Sequence, residues 1–161
     1  NSFAEGINMT DYELVITHPE GYELAPEFVG RAKVEYDQRK AFEGADFIYA
    51  KNWSCPGVTG GKENYGKILS KEMSWTVDAE HMSWTNNARF MHCLPAFHDL
   101  KTVIGKQIYD KFAIDCMEVT DEVFESSRSI VFEEAENRMH TIKAVIFQVV
   151  QSVLLVKSDR N

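Results

Sequence analysis

Cysteine and basic residues are scarce in this sequence, and each shortage excludes a class of protein. The three cysteines, Cys55, Cys93 and Cys116, form an odd set without CxxC spacing, so neither a disulfide framework nor a zinc site is indicated. The five histidines are scattered and lack metal-ligand spacing. Lysine and arginine together number 17 against 25 aspartates and glutamates, which argues against a nucleic-acid-binding surface. We therefore expect a cytoplasmic protein with no cofactor, no metal and no nucleic-acid partner.

Long hydrophobic runs and a targeting segment are also missing. Residues 1–5 carry neither the basic segment nor the apolar run of a signal peptide. The most apolar stretch, residues 145–156, is interrupted by Gln148, Gln151 and Ser152 and is too short to cross a membrane. The first residue is not methionine, so we interpret the sequence as part of a longer protein. With 161 residues, of which 44% are hydrophobic, it can bury the core of one domain, residues 1–161.

Apolar runs of strand length alternate with helical patterns, which is typical of an α/β fold with a parallel sheet and helices on both faces. We predict four strands, at residues 12–17, 46–50, 89–92 and 129–132. We predict helices at residues 26–41, 76–87, 104–112, 120–125 and 133–156. Residues 55–61, rich in glycine and proline, are predicted to form a loop.

Ligands of open parallel sheets bind beyond the carboxyl ends of the strands, which nominates four places in this chain. They are residues 18–19, 51–53, 93–95 and 133–138. The last of these begins a helix, whose free N–H groups favour an anion. The planar guanidinium of Arg138 adds hydrogen-bond donors suited to phosphate or carboxylate. The sequence therefore predicts a site for a small anionic substrate.

Several segments resemble the ornithine-type carbamoyltransferases. The run FMHCLPAFHD at residues 90–99 is similar to the substrate motif of ornithine carbamoyltransferase, and residues 118–126 and 134–145 continue the likeness. Residues 16–24, 34–38 and 50–53 are more similar to the N-acylornithine branch, in which acetyl- or succinylornithine replaces ornithine. Both a natural intermediate and an engineered composite fit this division.

The resemblance implies a Rossmann-like second domain, which binds the amino acid, of an enzyme in arginine metabolism. Such an enzyme transfers the carbamoyl group of carbamoyl phosphate to the δ-amine of ornithine or an N-acylornithine, and works as a homotrimer with its site between two domains. The Ser-x-Arg-Thr-Arg loop of the N-terminal carbamoyl phosphate domain is absent here. We therefore expect this chain by itself to be nearly inactive, and a non-catalytic domain that binds an amino acid weakly is the alternative.

The resemblance also implies roles for individual residues. The Cys93 sulfur and the Leu94 carbonyl would hold the amine and carbamoyl groups, the Leu94–Pro95 peptide would be cis, and Arg138 would donate to carbamoyl phosphate. Without the resemblance, Cys93 could equally be a small buried hydrophobic residue.

Residues 51–53 bear on the choice of substrate. A lysine facing the α-carboxylate and a tryptophan lining an acyl pocket fit N-acylornithine, so Lys51, Asn52 and Trp53 are assigned to substrate binding with His92 and Pro95. Against this assignment, residues 96–99 stand where the N-acylornithine branch carries arginines, and Lys51 could be a solvated strand end.

The imidazole of His92 is predicted to pack in or behind the sheet, because side chains alternate along a strand. The last helix, apolar nearly all round, would be covered by the N-terminal domain.

Overall fold

The computed structural model describes residues 1–51, 53 and 73–158 and has an α/β fold. Its strands pair in parallel, as the alternation of apolar runs and helical patterns predicted. The predicted loop at residues 55–61 lies outside the described residues, as does Asn52. Among the described residues, no helix has both the length and the apolar character needed to cross a membrane.

The first part of the chain forms a small two-stranded unit. Helix α1 (Ser2–Asn8) precedes β1 (Val15–Ile16), and α2 (Pro26–Val29) leads into β2 (Lys33–Val34), which pairs with β1. Helix α3 (Gln38–Phe42) then leads towards the second sheet.

The second sheet carries the predicted ligand-binding edge. Strand β3 (Phe47–Ala50) pairs in parallel with β4 (Arg89–His92), so that Ala50 lies opposite His92. A 3₁₀ turn (Met73–Trp75) and α4 (Ala79–Ser83) precede β4. After β4 come α5 (Val103–Phe112), α6 (Asp121–Phe124) and the long α7 (Val131–Ser158). Predicted strands 46–50 and 89–92 and the helix at 104–112 are therefore confirmed within one residue at each end.

The helix predicted at residues 26–41 is wrong, because the chain turns at Gly30. This glycine has a φ of +57°, and a Cβ on it would lie 2.4 Å from the Asn8 amide nitrogen. The Asn8 amide donates to the Val29 carbonyl at 3.1 Å, which satisfies the end of α2. A contact with a residue far away in sequence thus ends the helix and lets β2 form.

Two further boundaries differ from the prediction. The strand predicted at residues 129–132 is wrong: Ser129 makes a single parallel bridge to Phe90, and α7 begins at Val131. The helix predicted from Thr76 begins only after Asp78, whose carboxylate accepts a hydrogen bond from the His81 N–H at 2.9 Å. The Thr76 hydroxyl instead donates to the Met117 carbonyl.

The hydrophobic core lies between the second sheet and the helices that surround it. It includes Phe42, Ile48, Met82, Phe90, Val119 and Val131, all buried. By contrast, α7 leaves large apolar side chains exposed along its length. They include Met139, Ile142, Val145, Ile146, Phe147, Val149 and Val150.

Candidate functional site

The carboxyl ends of β3 and β4 bring two predicted site residues into contact. Because Ala50 and His92 are paired in parallel register, the residues after them, Lys51 and Cys93, leave the sheet side by side. The Lys51 ammonium donates a hydrogen bond to the Cys93 sulfur over 2.9 Å. Lys51 is exposed and Cys93 is half-buried, so a cation and a thiol stand together at an accessible strand edge.

Tyr49 joins this edge from the middle of β3, and sequence reasoning missed it. Burial raises the pKa of the Tyr49 phenol, and electrostatic repulsion of the phenolate by the neighbouring Cys93 and Glu134 side chains and a hydrogen bond with Cys93 raise it further. The ring stacks on Phe3 of α1, with ring centroids 4.2 Å apart. The phenol therefore remains protonated at neutral pH and keeps its hydrogen-bond donor beside the thiol.

Glu134, in the first turn of α7, is a second residue that sequence reasoning missed. Its Oε2 accepts a hydrogen bond from the His92 backbone N–H at 3.1 Å, which ties α7 to the end of β4. Burial raises the pKa of the Glu134 carboxyl, and the hydrogen bond from the His92 N–H and the positive charge of Lys51 act in the opposite direction. The sequence shows that an acidic residue stands at the start of a helix, but it does not show that Glu134 bonds to His92, which lies 42 residues earlier.

The backbone of Leu94, in the loop after β4, has an unusual conformation. The Leu94–Pro95 peptide is cis, as the family resemblance implied, and Leu94 has a φ of +39°. The Leu94 N–H donates to Nδ1 of His92 at 3.1 Å. In the part of the chain that the structure describes, no donor reaches the Leu94 carbonyl, so its oxygen can accept a hydrogen bond from a ligand.

The remaining predicted site residues occupy different surroundings. The His92 side chain is fully buried, in agreement with the prediction that it packs in or behind the sheet. The same burial contradicts its assignment to substrate binding, because the side chain has no surface for a ligand. Pro95 is exposed. Trp53 is half-buried and packs against the small cluster of Ile114 and Met117. Arg138 is exposed on α7, four residues after Glu134 and hence on the same face of that helix.

One group of potential metal ligands lies beside this loop. Single ligand atoms of His98, Asp121 and Glu125 lie within 4.8 Å of one another. His98 already pairs with Asp121 at 2.7 Å and stacks on Phe124, and the Lys101 ammonium lies 3.8 Å from the other Asp121 oxygen. These contacts explain the positions of His98 and Asp121 without a metal, because they anchor α6 to the loop.

The chain is similar in sequence to known carbamoyltransferases. A model of the Asp/Orn-binding domain of aspartate/ornithine carbamoyltransferases matches residues 1–149. The N-succinylornithine carbamoyltransferase of Bacteroides thetaiotaomicron is 54% identical over 153 residues, which are 95% of this chain and 42% of that protein. An ornithine carbamoyltransferase of Borreliella burgdorferi is 44% identical over 124 residues, covering 76% of this chain and 37% of that protein.

Two solved structures share the fold. A crystal structure of acetylornithine transcarbamylase complexed with acetylcitrulline superposes with a TM-score of 0.71 at 27% identity, over 90% of this chain and 42% of that one. The ornithine carbamoyltransferase from Thermus thermophilus superposes with a TM-score of 0.69 at 28% identity, over 91% and 42% of the two chains. The chain thus spans less than half the length of the proteins it matches.

Proposed function

Since the chain belongs to the aspartate/ornithine carbamoyltransferase family, we propose that it is the amino-acid-binding half of an enzyme that carbamoylates an N-acylornithine. The observation that carries the proposal is the contact between the Lys51 ammonium and the Cys93 sulfur at the ends of adjacent strands. We infer that the Lys51 ammonium would bind the substrate carboxylate, beside the groups that would hold the reacting amine.

The charge at this edge favours an acylated substrate over free ornithine. Free ornithine carries an α-ammonium, which is best bound by a carboxylate, whereas acylation leaves the α-carboxylate as the only charge on that carbon. Lys51 supplies a positive charge at this position, and Trp53 lies two residues further along the chain. The 54% identity to an N-succinylornithine carbamoyltransferase supports the same choice. Ornithine is the alternative, because the second half of the chain resembles the ornithine enzymes.

The reaction needs acceptors for an amine and donors for a developing oxyanion. The neutral δ-amine attacks the carbamoyl carbon of carbamoyl phosphate, the new C–N bond forms, the C–O bond to phosphate breaks, and the amine proton leaves with the phosphate. The Leu94 carbonyl, which has no donor among the described residues, would accept a hydrogen bond from the amine, and Cys93 would orient the carbamoyl group. Arg138 would donate to carbamoyl phosphate as its charge shifts in the transition state.

The exposed side of α7 supports the view that a second domain completes the site. Soluble monomers rarely leave so many large apolar side chains in water, and here they lie close together on one helix, between Met139 and Val150. We propose that the carbamoyl phosphate domain covers them. On the same family resemblance we propose a homotrimeric, cytoplasmic enzyme of arginine biosynthesis.

The test joins this chain to the N-terminal half of the Bacteroides thetaiotaomicron relative and measures carbamoyl transfer, with the chain alone as the control. Ornithine, N-acetylornithine and N-succinylornithine are compared as acceptors, and citrulline or N-acylcitrulline is the product detected. We expect turnover by the joined enzyme with an N-acylornithine and almost none by the chain alone. No turnover with any of the three would refute the enzyme, and a preference for ornithine would refute the acyl assignment.

A further inference from the structure

Lys51 and Cys93 place a primary amine in direct contact with a thiol. The two residues are 42 positions apart in the sequence, yet Nζ of Lys51 lies 2.9 Å from Sγ of Cys93. The distance follows from the fold, because Ala50 and His92, the residues before them, are paired across β3 and β4. Lys51 is exposed and Cys93 is half-buried, so a small solute from the medium can reach the pair.

The second cysteine that the structure describes has different neighbours. Cys116 is half-buried as well, but the charged groups that act on it are the carboxylates of Asp115, Glu118 and Asp78. Burial and Asp115 raise the pKa of the Cys116 thiol to about 11. Since oxidants attack the thiolate, Cys116 is oxidised slowly near neutral pH and serves as an internal reference for Cys93.

We propose that a peroxide converts the contact between Lys51 and Cys93 into a covalent bond that thiols can reduce. Hydrogen peroxide first oxidises the Cys93 thiol to a sulfenic acid, and the peroxide is reduced to water as it takes up the two electrons. Sulfenic acids condense with thiols or with nearby nitrogen atoms. At Cys93 the nitrogen atom in contact is Nζ of Lys51, so the product is a sulfenamide between the two side chains.

The condensation step balances without any further reactant. Lys51 gives its extra proton to the solvent and attacks the Cys93 sulfur as a neutral amine, so that the S–N bond forms and the S–O bond breaks. The hydroxide that leaves takes one proton from the attacking nitrogen and departs as a second water molecule. The linked pair has therefore lost one hydrogen atom from sulfur and one from nitrogen. A dithiol reverses the step, because it is oxidised to its disulfide and returns the Cys93 thiol and the Lys51 amine.

Proximity decides which fate the sulfenic acid takes. Without a partner it is oxidised further to a sulfinic acid, which ordinary thiols do not reverse. An amine already in contact competes at a high effective concentration, because no encounter in solution is needed. The flexible four-carbon stem of a lysine allows the small approach that the bond requires.

The inference rests on the proposed function for its effect on catalysis. The bond would occupy the ammonium proposed for the substrate carboxylate and the sulfur proposed to orient the carbamoyl group, so the linked enzyme would be inactive until it is reduced. It would also shield Cys93 from irreversible oxidation. The bond itself is a property of this chain and can be measured on it without any activity.

The first measurement maps the peptides of the 161-residue chain by mass spectrometry after treatment with hydrogen peroxide at mildly alkaline pH, with no reductant added. We expect a pair of peptides joined through Lys51 and Cys93, lighter by two hydrogen atoms than the separate peptides, and its disappearance after dithiothreitol. Cys116 should be largely unmodified at that stage. Sulfinic acid at Cys93 with no link, or a disulfide from Cys93 to Cys55 or Cys116, would overturn the proposal.

Two lysine substitutions separate the amine from general effects of charge. Lys51→Arg keeps a positive charge beside the sulfur, but a guanidinium stays protonated and does not attack the sulfenic acid. Lys106→Met removes another exposed lysine, on α5, and is the matched control. Under the same treatment we expect no link and about tenfold more sulfinic acid at Cys93 in Lys51→Arg, and an unchanged link in Lys106→Met. Equal amounts of sulfinic acid in the two variants and the unsubstituted chain would refute capture by Lys51.

The second measurement follows the activity of the joined enzyme through one cycle of oxidation and reduction. We expect peroxide to abolish carbamoyl transfer in proportion to the linked fraction, and dithiothreitol to restore most of it. N-acetylornithine present during the treatment should slow the loss, because its carboxylate would hold Lys51. Activity that survives complete linking would refute the regulatory effect. No turnover by the untreated joined enzyme would instead refute the proposed function, while the peptide maps of the chain would still decide whether the bond forms.

Discussion

Replacing Lys51 with methionine tests whether this side chain binds the substrate carboxylate. Methionine keeps most of the length of the lysine side chain and removes its charge. In the structure the ammonium is exposed and 2.9 Å from the Cys93 sulfur. The ammonium is therefore accessible to a ligand while it contacts the Cys93 sulfur.

The size of the effect follows from the exposure of the ammonium. A hydrogen bond to a charged group contributes about 1.5 to 3 kcal/mol, and solvent screening at an exposed site places this one near the lower end. A loss of about 1.4 kcal/mol is a tenfold change in an equilibrium constant. We therefore expect Lys51→Met to raise KM for N-acetylornithine by about tenfold in the joined enzyme, with a smaller change in kcat.

The assay uses a second substrate to identify the group that Lys51 contacts. N-acetylornithine carries one carboxylate, and its α-carboxamide analogue carries none. Lys51→Met should raise KM for the acid but leave KM for the carboxamide nearly unchanged, which makes the comparison a double-mutant cycle between lysine and carboxylate. Lys106→Met, which removes another exposed lysine on α5, is the matched control and should leave both values unchanged.

Two results would refute this reasoning. An equal rise in KM for the acid and the carboxamide would show that Lys51 does not bind the carboxylate. A loss of kcat with no change in KM would assign Lys51 to the reacting groups through its contact with Cys93.

Four other measurements test the structure. Burial and the charge of Asp115 raise the pKa of the Cys116 thiol from 9.0 to about 11. Since the thiolate is the nucleophile, alkylation of Cys116 at pH 8 should be roughly 100-fold slower than that of a thiol with a pKa of 9.0, and should rise about tenfold per pH unit up to pH 11. A plateau in peptide-mapped rates below pH 10 would contradict this. Phe90→Ala should lower the free energy of unfolding by about 3 to 5 kcal/mol in urea, whereas Phe47→Ala, at an exposed position, should change it by less than about 0.5 kcal/mol; similar losses would misplace the core. Asp78→Ala should cost about 1 kcal/mol through the loss of its helix cap, and unchanged stability would argue against that cap. Light scattering and dye binding should show that the isolated chain associates through α7, and a clean monomer that binds no dye would count against an apolar surface there.

The parts of the fold that could be predicted from the sequence are those that local pattern specifies. Strands β3 and β4 were predicted because each is a short apolar run between polar residues. Helix α5 was also predicted, and the structure shows that its N-cap, Thr102, lies next to it in the chain, so its start is local too. The helix predicted at residues 26–41 failed because its end depends on Asn8, about 20 residues earlier in the chain. The strand predicted at residues 129–132 failed because its apolar run equally suits the first turn of α7, where Val131 is buried.

The sequence by itself determined the family, the two strands of the second sheet, and the edge at which Lys51 and Cys93 lie. Parallel pairing alone brings the ends of consecutive strands together, so these two residues could be nominated before any contact was known. Only the tertiary structure decided what surrounds them: the phenol of Tyr49, the carboxylate of Glu134, and the burial of Glu118 under the loop. Each of these depends on packing between segments tens of residues apart, and no local pattern in the sequence encodes that distance.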